Sequence, residues 1–143
     1  MLAATIEGSV IDLLREAGLV GGRVWAEDAP EGATRPYITL LGPLSTVARL
    51  RGDGGETMGS ERLIQVNLWQ DRRLPGGAGS GVDPSLVGRL VLALDGGVLD
   101  LDPAVGKVYQ CHVQDLQRVA EPDGTNLTHH ALTLSIKHDR GAI

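Results

Sequence analysis

The sequence predicts an α+β domain: a mostly antiparallel β-sheet with two α-helices packed on one face. Three observations predict it. Two segments, one at the start of the chain and one past its middle, repeat apolar residues at i, i+3, i+4 and i+7, which gathers them on one helix face. Three others alternate apolar and polar residues, the pattern of strands with one face buried and the other wet. The elements come as helix, strands, helix, strands, without the strict β–α alternation that marks a parallel sheet.

The first helix is read over 3–17, where Ala3, Ile6, Val10, Leu13, Leu14 and Ala17 form the apolar stripe. Glu7, Asp12, Arg15 and Glu16 fall mostly outside it. Gly18 ends it, because glycine enters the left-handed region freely. A short strand follows at Arg23-Val24-Trp25-Ala26, then a turn-rich link over 29–33. Tyr37-Ile38-Thr39-Leu40-Leu41 reads as a strand that bends at Gly42-Pro43 and continues to Leu50. The polar, glycine-rich stretch 51–61 reads as a loop, and the next strand as 62–69, with Ile64, Val66 and Leu68 inward and Gln65 and Asn67 outward. A second glycine-rich stretch, 74–82, reads as a flexible linker.

Asp83-Pro84 is a helix start: the carboxylate caps free amides and proline takes the first helical position. Leu86, Val87, Leu90, Val91 and Leu94 supply the stripe, and Gly96-Gly97 closes it. The strand at 107–118 sets Tyr109, Cys111 and Val113 against Gln110, His112 and Gln114. The strand at 127–138 sets Leu132, Leu134 and Ile136 inward, with Thr133, Ser135 and Lys137 outward. Asp123-Gly124 marks a loose turn between them. The expected core packs Leu13, Leu14, Leu86, Leu90, Val66, Leu68, Leu134 and Ile136.

The 143 residues suit one domain, here taken as 1–143. With two Trp, two Tyr and no Phe, the core rests on aliphatic side chains. Eighteen acidic against thirteen basic residues leave a net charge of −5, which argues against a nucleic-acid binder, since phosphate contacts need a basic surplus on some face. The lone Cys111 forms no internal disulfide, so the chain suits a reducing compartment. No long uncharged apolar run is present, and neither a signal peptide nor a membrane span is expected.

The motifs that invite chemistry fail on spacing. His129 and His130 are adjacent on a strand and point to opposite faces, so they cannot share a metal and are expected as surface histidines. The run Gly76-Gly77-Ala78-Gly79-Ser80-Gly81 lacks the Lys-Ser/Thr of a phosphate loop. Asp95, Asp100 and Asp102 are interleaved with Leu99 and Leu101, which suits a short extended segment better than a calcium loop. Cys111 belongs to an apolar strand face, where a buried inert thiol is expected. No serine stands in a Gly-x-Ser-x-Gly elbow. No catalytic residue, metal or cofactor is predicted.

In order along the chain, the N-terminal helix, Gly21-Gly22-Arg23-Val24-Trp25, Arg35-Pro36-Tyr37-Ile38-Thr39-Leu40, the strand 62–69, the second helix and the last strand 131–138 form a sequence of segments. It resembles the tail terminator (tail-completion) proteins of long-tailed bacteriophages. The resemblance spans nearly the whole chain and rests on order and spacing, with no single diagnostic motif.

It implies a structural virion protein and no enzyme: a homohexameric ring at the head–tail junction that caps the tail tube, stops its polymerisation and joins tail to head. The implied partners are further copies of the chain, the major tail tube protein and a head-closure or stopper protein, with DNA only passing through the lumen and no membrane contact. The alternatives are a head–tail connector or head-closure protein of the phage neck and, further off, a small ligand-binding module or a small hydrolase.

Partner contacts are expected from two places. The loop 51–61 carries Arg51, Asp53, Glu56 and Glu61 around Met58, a mixed-charge segment with one adaptable hydrophobe. Gln65, Asn67, Gln110 and His112 give the sheet a wide, nearly uncharged polar face.

Overall fold

In the computed structural model, residues 2–51, 57–77, 79–122 and 124–139 are described, with the backbone alone at 47–51, 57 and 58. Helix α1 spans Ile6–Ala17. Thr5 caps it in extended conformation, its hydroxyl accepting from the Gly8 amide at 3.0 Å. Gly18 stops it at φ 68°, its amide bonded to the Arg15 carbonyl. Helix α2, Pro84–Leu94, starts as its sequence dictates, with the Asp83 carboxylate accepting from the Ser85 amide at 3.0 Å and proline in the first turn.

Five strands form one sheet: β1 Val24–Ala26, β2 Tyr37–Arg51, β3 Thr57–Asp71, β4 Val108–Val119 and β5 Leu127–Asp139, in the order β1-β2-β3-β5-β4. Three of the four pairings are antiparallel, and β1 runs parallel to β2. The fold class is therefore α+β, as the periodicities require.

The register defines two faces. On the inner face Ile64, Val66 and Leu68 stand beside Leu134, Leu132 and His130, with Ile38 and Leu40 across on β2. Both helices cover this face: Ile6, Val10 and Leu14 of α1 and Leu86, Leu90 and Leu94 of α2 join the same buried cluster as the strand residues. Seven of the eight expected core residues are buried. Leu13 is the exception, half-buried at the rim of the cluster.

Four local readings change. At its described residues the expected loop 51–61 is strand: β2 continues to Arg51, β3 begins at Thr57, and Leu50 pairs with Gly59 and Arg51 with Thr57. Glycines hid this arm because they carry no alternation signal, and backbone pairing across the hairpin overrides their weak strand preference. The stretch 74–82 is no free linker. A 3-10 turn at Pro75–Gly77 lies inside a small closed hairpin, with Leu74 N bonded to Gly79 O at 2.9 Å and Gly81 N to Arg72 O at 3.1 Å. In β4 the strict alternation fails, because register shifts fall between Val108 and Gln110 and between Val113 and Asp115. Tyr109 and Gln114 are the bulged residues, and Tyr109 is exposed rather than packed inward.

The segment with Leu99 and Leu101, expected to be extended, is kinked instead: Leu101 N donates to Leu99 O at 3.1 Å, both leucines are buried, and Leu101 forms a parallel bridge with Ala3.

Candidate assembly surfaces

The outer face of the sheet has no helix over it, yet much of it is withdrawn from water. An aromatic row crosses it at one end. Trp25 of β1 meets Tyr37 of β2 edge-on at 5.8 Å, Tyr37 meets Trp69 of β3 at 6.4 Å, and Trp69 stacks on His129 of β5 at 3.9 Å with 12° between the planes. The register makes this row: Trp25 pairs with Thr39, Tyr37 with Trp69, and Trp69 with His129, so all four rings share one face. The Trp69 indole donates to the Thr39 hydroxyl at 3.0 Å, which satisfies its one polar atom.

Beside the rings runs a polar network. His129 Nε2 lies 2.6 Å from Asn67 Oδ1, His129 Nδ1 lies 3.1 Å from Glu121 Oε1, and Gln65 Nε2 donates to Asn67 Oδ1 at 2.7 Å. The Ser135 hydroxyl donates to Glu61 at 3.0 Å. Asn67, His129 and Ser135 are buried even though only neighbouring side chains cover them. His129 is thus no surface histidine, which corrects that expectation. Its stacking on Trp69 and its two polar neighbours could not be read from its own strand alone. His130 points to the core side as adjacency predicted, and burial, with Arg118 and His129 adding to it, lowers its pKa.

The proposed contact residues separate into three groups. Gln65 and Asn67 on β3 and His112 on β4 lie on the outer face, half-buried to buried, while Gln110 is exposed near the β4 end of it. Glu61 is a strand residue that pairs with Val47 and Lys137. Arg51 and Met58 are strand residues whose side chains lie outside the described set, and Asp53 and Glu56 lie outside the described residues altogether. The structure therefore brings Glu61, Gln65 and Asn67 together with the β4 pair on one face.

The sheet edges are treated unevenly. Along β1 the outward groups are closed locally: Arg15 Nη2 donates to Val24 O at 2.7 Å, Asp28 N to Ala26 O at 2.9 Å, and Val24 N to Gly22 O at 2.9 Å. Along the first half of β4 the end of α2 does the same work. Gly96 N donates to Cys111 O at 2.8 Å, and the Asp95 carboxylate accepts from Val113 N at 3.0 Å. Beyond these points, no hydrogen bond among the described residues reaches the free side of β2 over 44–51 or of β4 over 114–119.

The Cys111 thiol is buried against Leu94 O at 3.3 Å, and burial, with Asp95 adding to it, pushes its pKa up to about 11. Among the described residues no group of three or more His, Cys, Asp or Glu side chains is placed to hold a metal ion, and no helix is long and apolar enough to cross a membrane.

No family model and no curated protein matches the sequence. Among solved structures, a chain from the virion of a native gene transfer agent particle matches at a TM-score of 0.68 and 17% identity, over 94% of this chain and 95% of that one. At that identity the likeness is one of fold, and it runs nearly end to end through both chains.

Proposed function

We propose that this protein is a structural component of a phage or phage-like virion, and within it the tail terminator: a homohexameric ring that caps the tail tube, halts its growth and joins tail to head. The observation that carries the reading is the fold likeness to a virion chain over 94% of this chain and 95% of that one. The order of segments that resembles tail-completion proteins supports the finer role. So does an uncovered sheet face whose polar groups, Glu61 and Glu121 among them, are bonded to one another, a face suited to subunits or a wet lumen. The net charge of −5 agrees with DNA sliding past without tight phosphate contact.

The partners in this reading are copies of the chain, the tail tube protein and a head-closure or stopper protein, and its chemistry is assembly rather than catalysis. Electron microscopy of the purified protein tests it: sixfold rings are expected, and particles made without the protein should carry tails of uncontrolled length. Normal tail length without it, with heads left unsealed, would move the assignment to a neck connector or head-closure protein. A protein that stays monomeric in the presence of tail tubes ends both.

A further inference from the structure

Resting on the ring reading, we infer that the subunits join by strand pairing. The free 44–51 side of β2 in one copy takes up the free 114–119 side of β4 in the next, so that the sheets run on from subunit to subunit. The occupant of each open edge is a second copy of this chain, and four observations point to it.

First, an exposed strand edge is a liability that single-chain proteins blunt, and this chain blunts only part of each edge. Arg15 and the turn at Asp28 close β1, and Gly96 and Asp95 close β4 as far as Val113. Second, the two open stretches are unlike. A contact between unlike surfaces is head-to-tail and builds a ring or a filament, whereas a two-fold dimer would need one self-complementary patch. Third, exposed apolar side chains sit on both: Leu44 is 51% exposed on one edge, and Leu116 and Val119 are 39% and 37% exposed on the other. Because β2 and β4 are antiparallel within the sheet, copies related by a ring axis would pair them antiparallel.

Fourth, the open stretches occupy opposite corners. The β2 stretch lies level with Thr57 to Leu63 of β3, and the β4 stretch, through β5, lies level with Gln65 to Trp69. Between the centres of those spans, Ser60 and Asn67, the offset is about seven residues, so each copy must slip about 23 Å along the strands for every four strands, β2, β3, β5 and β4, which together span about 19 Å. That slip corresponds to strands tilted by roughly 50°, slightly steeper than the roughly 35–45° found in closed β-barrels. A slip of that size is what converts a flat run of sheets into a closed ring of inclined ones. The helices then face outward and the Gln65, Asn67 and Ser135 face turns to the lumen.

The test places cysteines at Ser45 and Gln117 in one chain. Within a subunit they stand on β2 and β4, three strand spacings across and four residues along, about 19 Å apart. A bis-maleimide with a reach of about 10 Å can therefore link them only between copies. On purified assemblies the double variant is expected to give a ladder of cross-linked species on denaturing gels, while Ser45→Cys and Gln117→Cys alone give none beyond background. A second readout uses the unaltered protein: hydrogen exchange over 114–119 should slow at least 100-fold when rings form. Rings seen by microscopy without the ladder and without that protection overturn the strand pairing and leave the ring reading in place. Single variants that cross-link as well as the pair overturn it too, since they show like edges meeting. Absence of any assembly removes both.

Discussion

Replacing Glu7 by Gln removes a charge from an ion pair that ties α1 to the inner face of the sheet. Arg62 stands on the inner face of β3, 3% exposed, with its Nη1 at 2.6 and 2.8 Å from the two carboxylate oxygens of Glu7. Its Nε has no partner among the described residues. Glu7→Gln keeps the shape and one acceptor but leaves a guanidinium buried without compensation. Breaking a buried pair from one side costs about 3–5 kcal/mol, and because the Glu7 side chain is 21% exposed, the lower end, about 3 kcal/mol, applies.

Glu7 also sits in the first turn of α1, where a negative charge adds about 0.3–1 kcal/mol against the helix dipole. For a domain of this size the midpoint should fall by about 6–12 °C, at roughly 2–4 °C per kcal/mol. Calorimetry on Glu7→Gln, Arg62→Met and the double variant reads it. Arg62→Met should cost less, since the freed carboxylate reaches water, and the double variant should recover most of what Glu7→Gln loses. A Glu7→Gln protein within about 0.5 kcal/mol of the parent, or a double variant no better than Glu7→Gln, refutes the reasoning.

Two glycines should respond oppositely in urea. Gly88, mid-helix with open space where a Cβ would go, should gain about 0.5–1 kcal/mol as Ala, while Gly81→Ala should lose stability, because its Cβ would fall 2.5 Å from Asp71 O. Trp69→Phe keeps a ring on His129 but drops the bond to Thr39, and a loss of about 1 kcal/mol is expected by chemical denaturation. Cys111, whose folded pKa of about 11 lies above its ordinary 9.0, should resist thiol reagents at pH 8 until the chain unfolds. The stability held in its protonated thiol is present below pH 9 and is lost as pH rises from 9 towards 11, a slope that Cys111→Ala should remove.

The sequence displays the parts of this fold that repeat. Val66 and Leu68 alternate with Gln65 and Asn67, so the inner face of β3 was readable, and Asp83-Pro84 announced α2 because a cap and a fixed φ are local properties. What stayed hidden depends on pairing between distant residues. The β2–β3 arm runs through 57–61, where glycine and polar residues break the alternation, and only the partner strand makes it a strand. The bulges at Tyr109 and Gln114 re-aim side chains that strict alternation had placed. The aromatic row needs β1, β2, β3 and β5 in register, and no stretch of sequence contains more than one of its rings in a recognisable motif. Arg62 reads from sequence as a strand-end cation, and its burial follows only once Glu7 is brought above it.

That two chains can share this fold at 17% identity has a physical basis. Inner-face positions accept Leu, Ile or Val with little penalty as long as volume is kept, so identities there drift while the alternation survives. Turn and cap positions hold their chemistry but are few. The proposed ring needs no fixed catalytic constellation: at its strand edges backbone groups would do much of the binding, and side-chain identity there is loosely constrained. On this chain the restraint shows in what is closed rather than in what is offered. Arg15 spends its guanidinium on a backbone carbonyl of β1, and Asp95 its carboxylate on a backbone amide of β4. Both shut an edge, and both stop short of the stretches that lie at opposite corners. Opening either closed half, by Arg15→Ala or Asp95→Ala, would give an assembling chain a second register in which to pair, so these two positions are where loss of ring uniformity should appear before loss of fold.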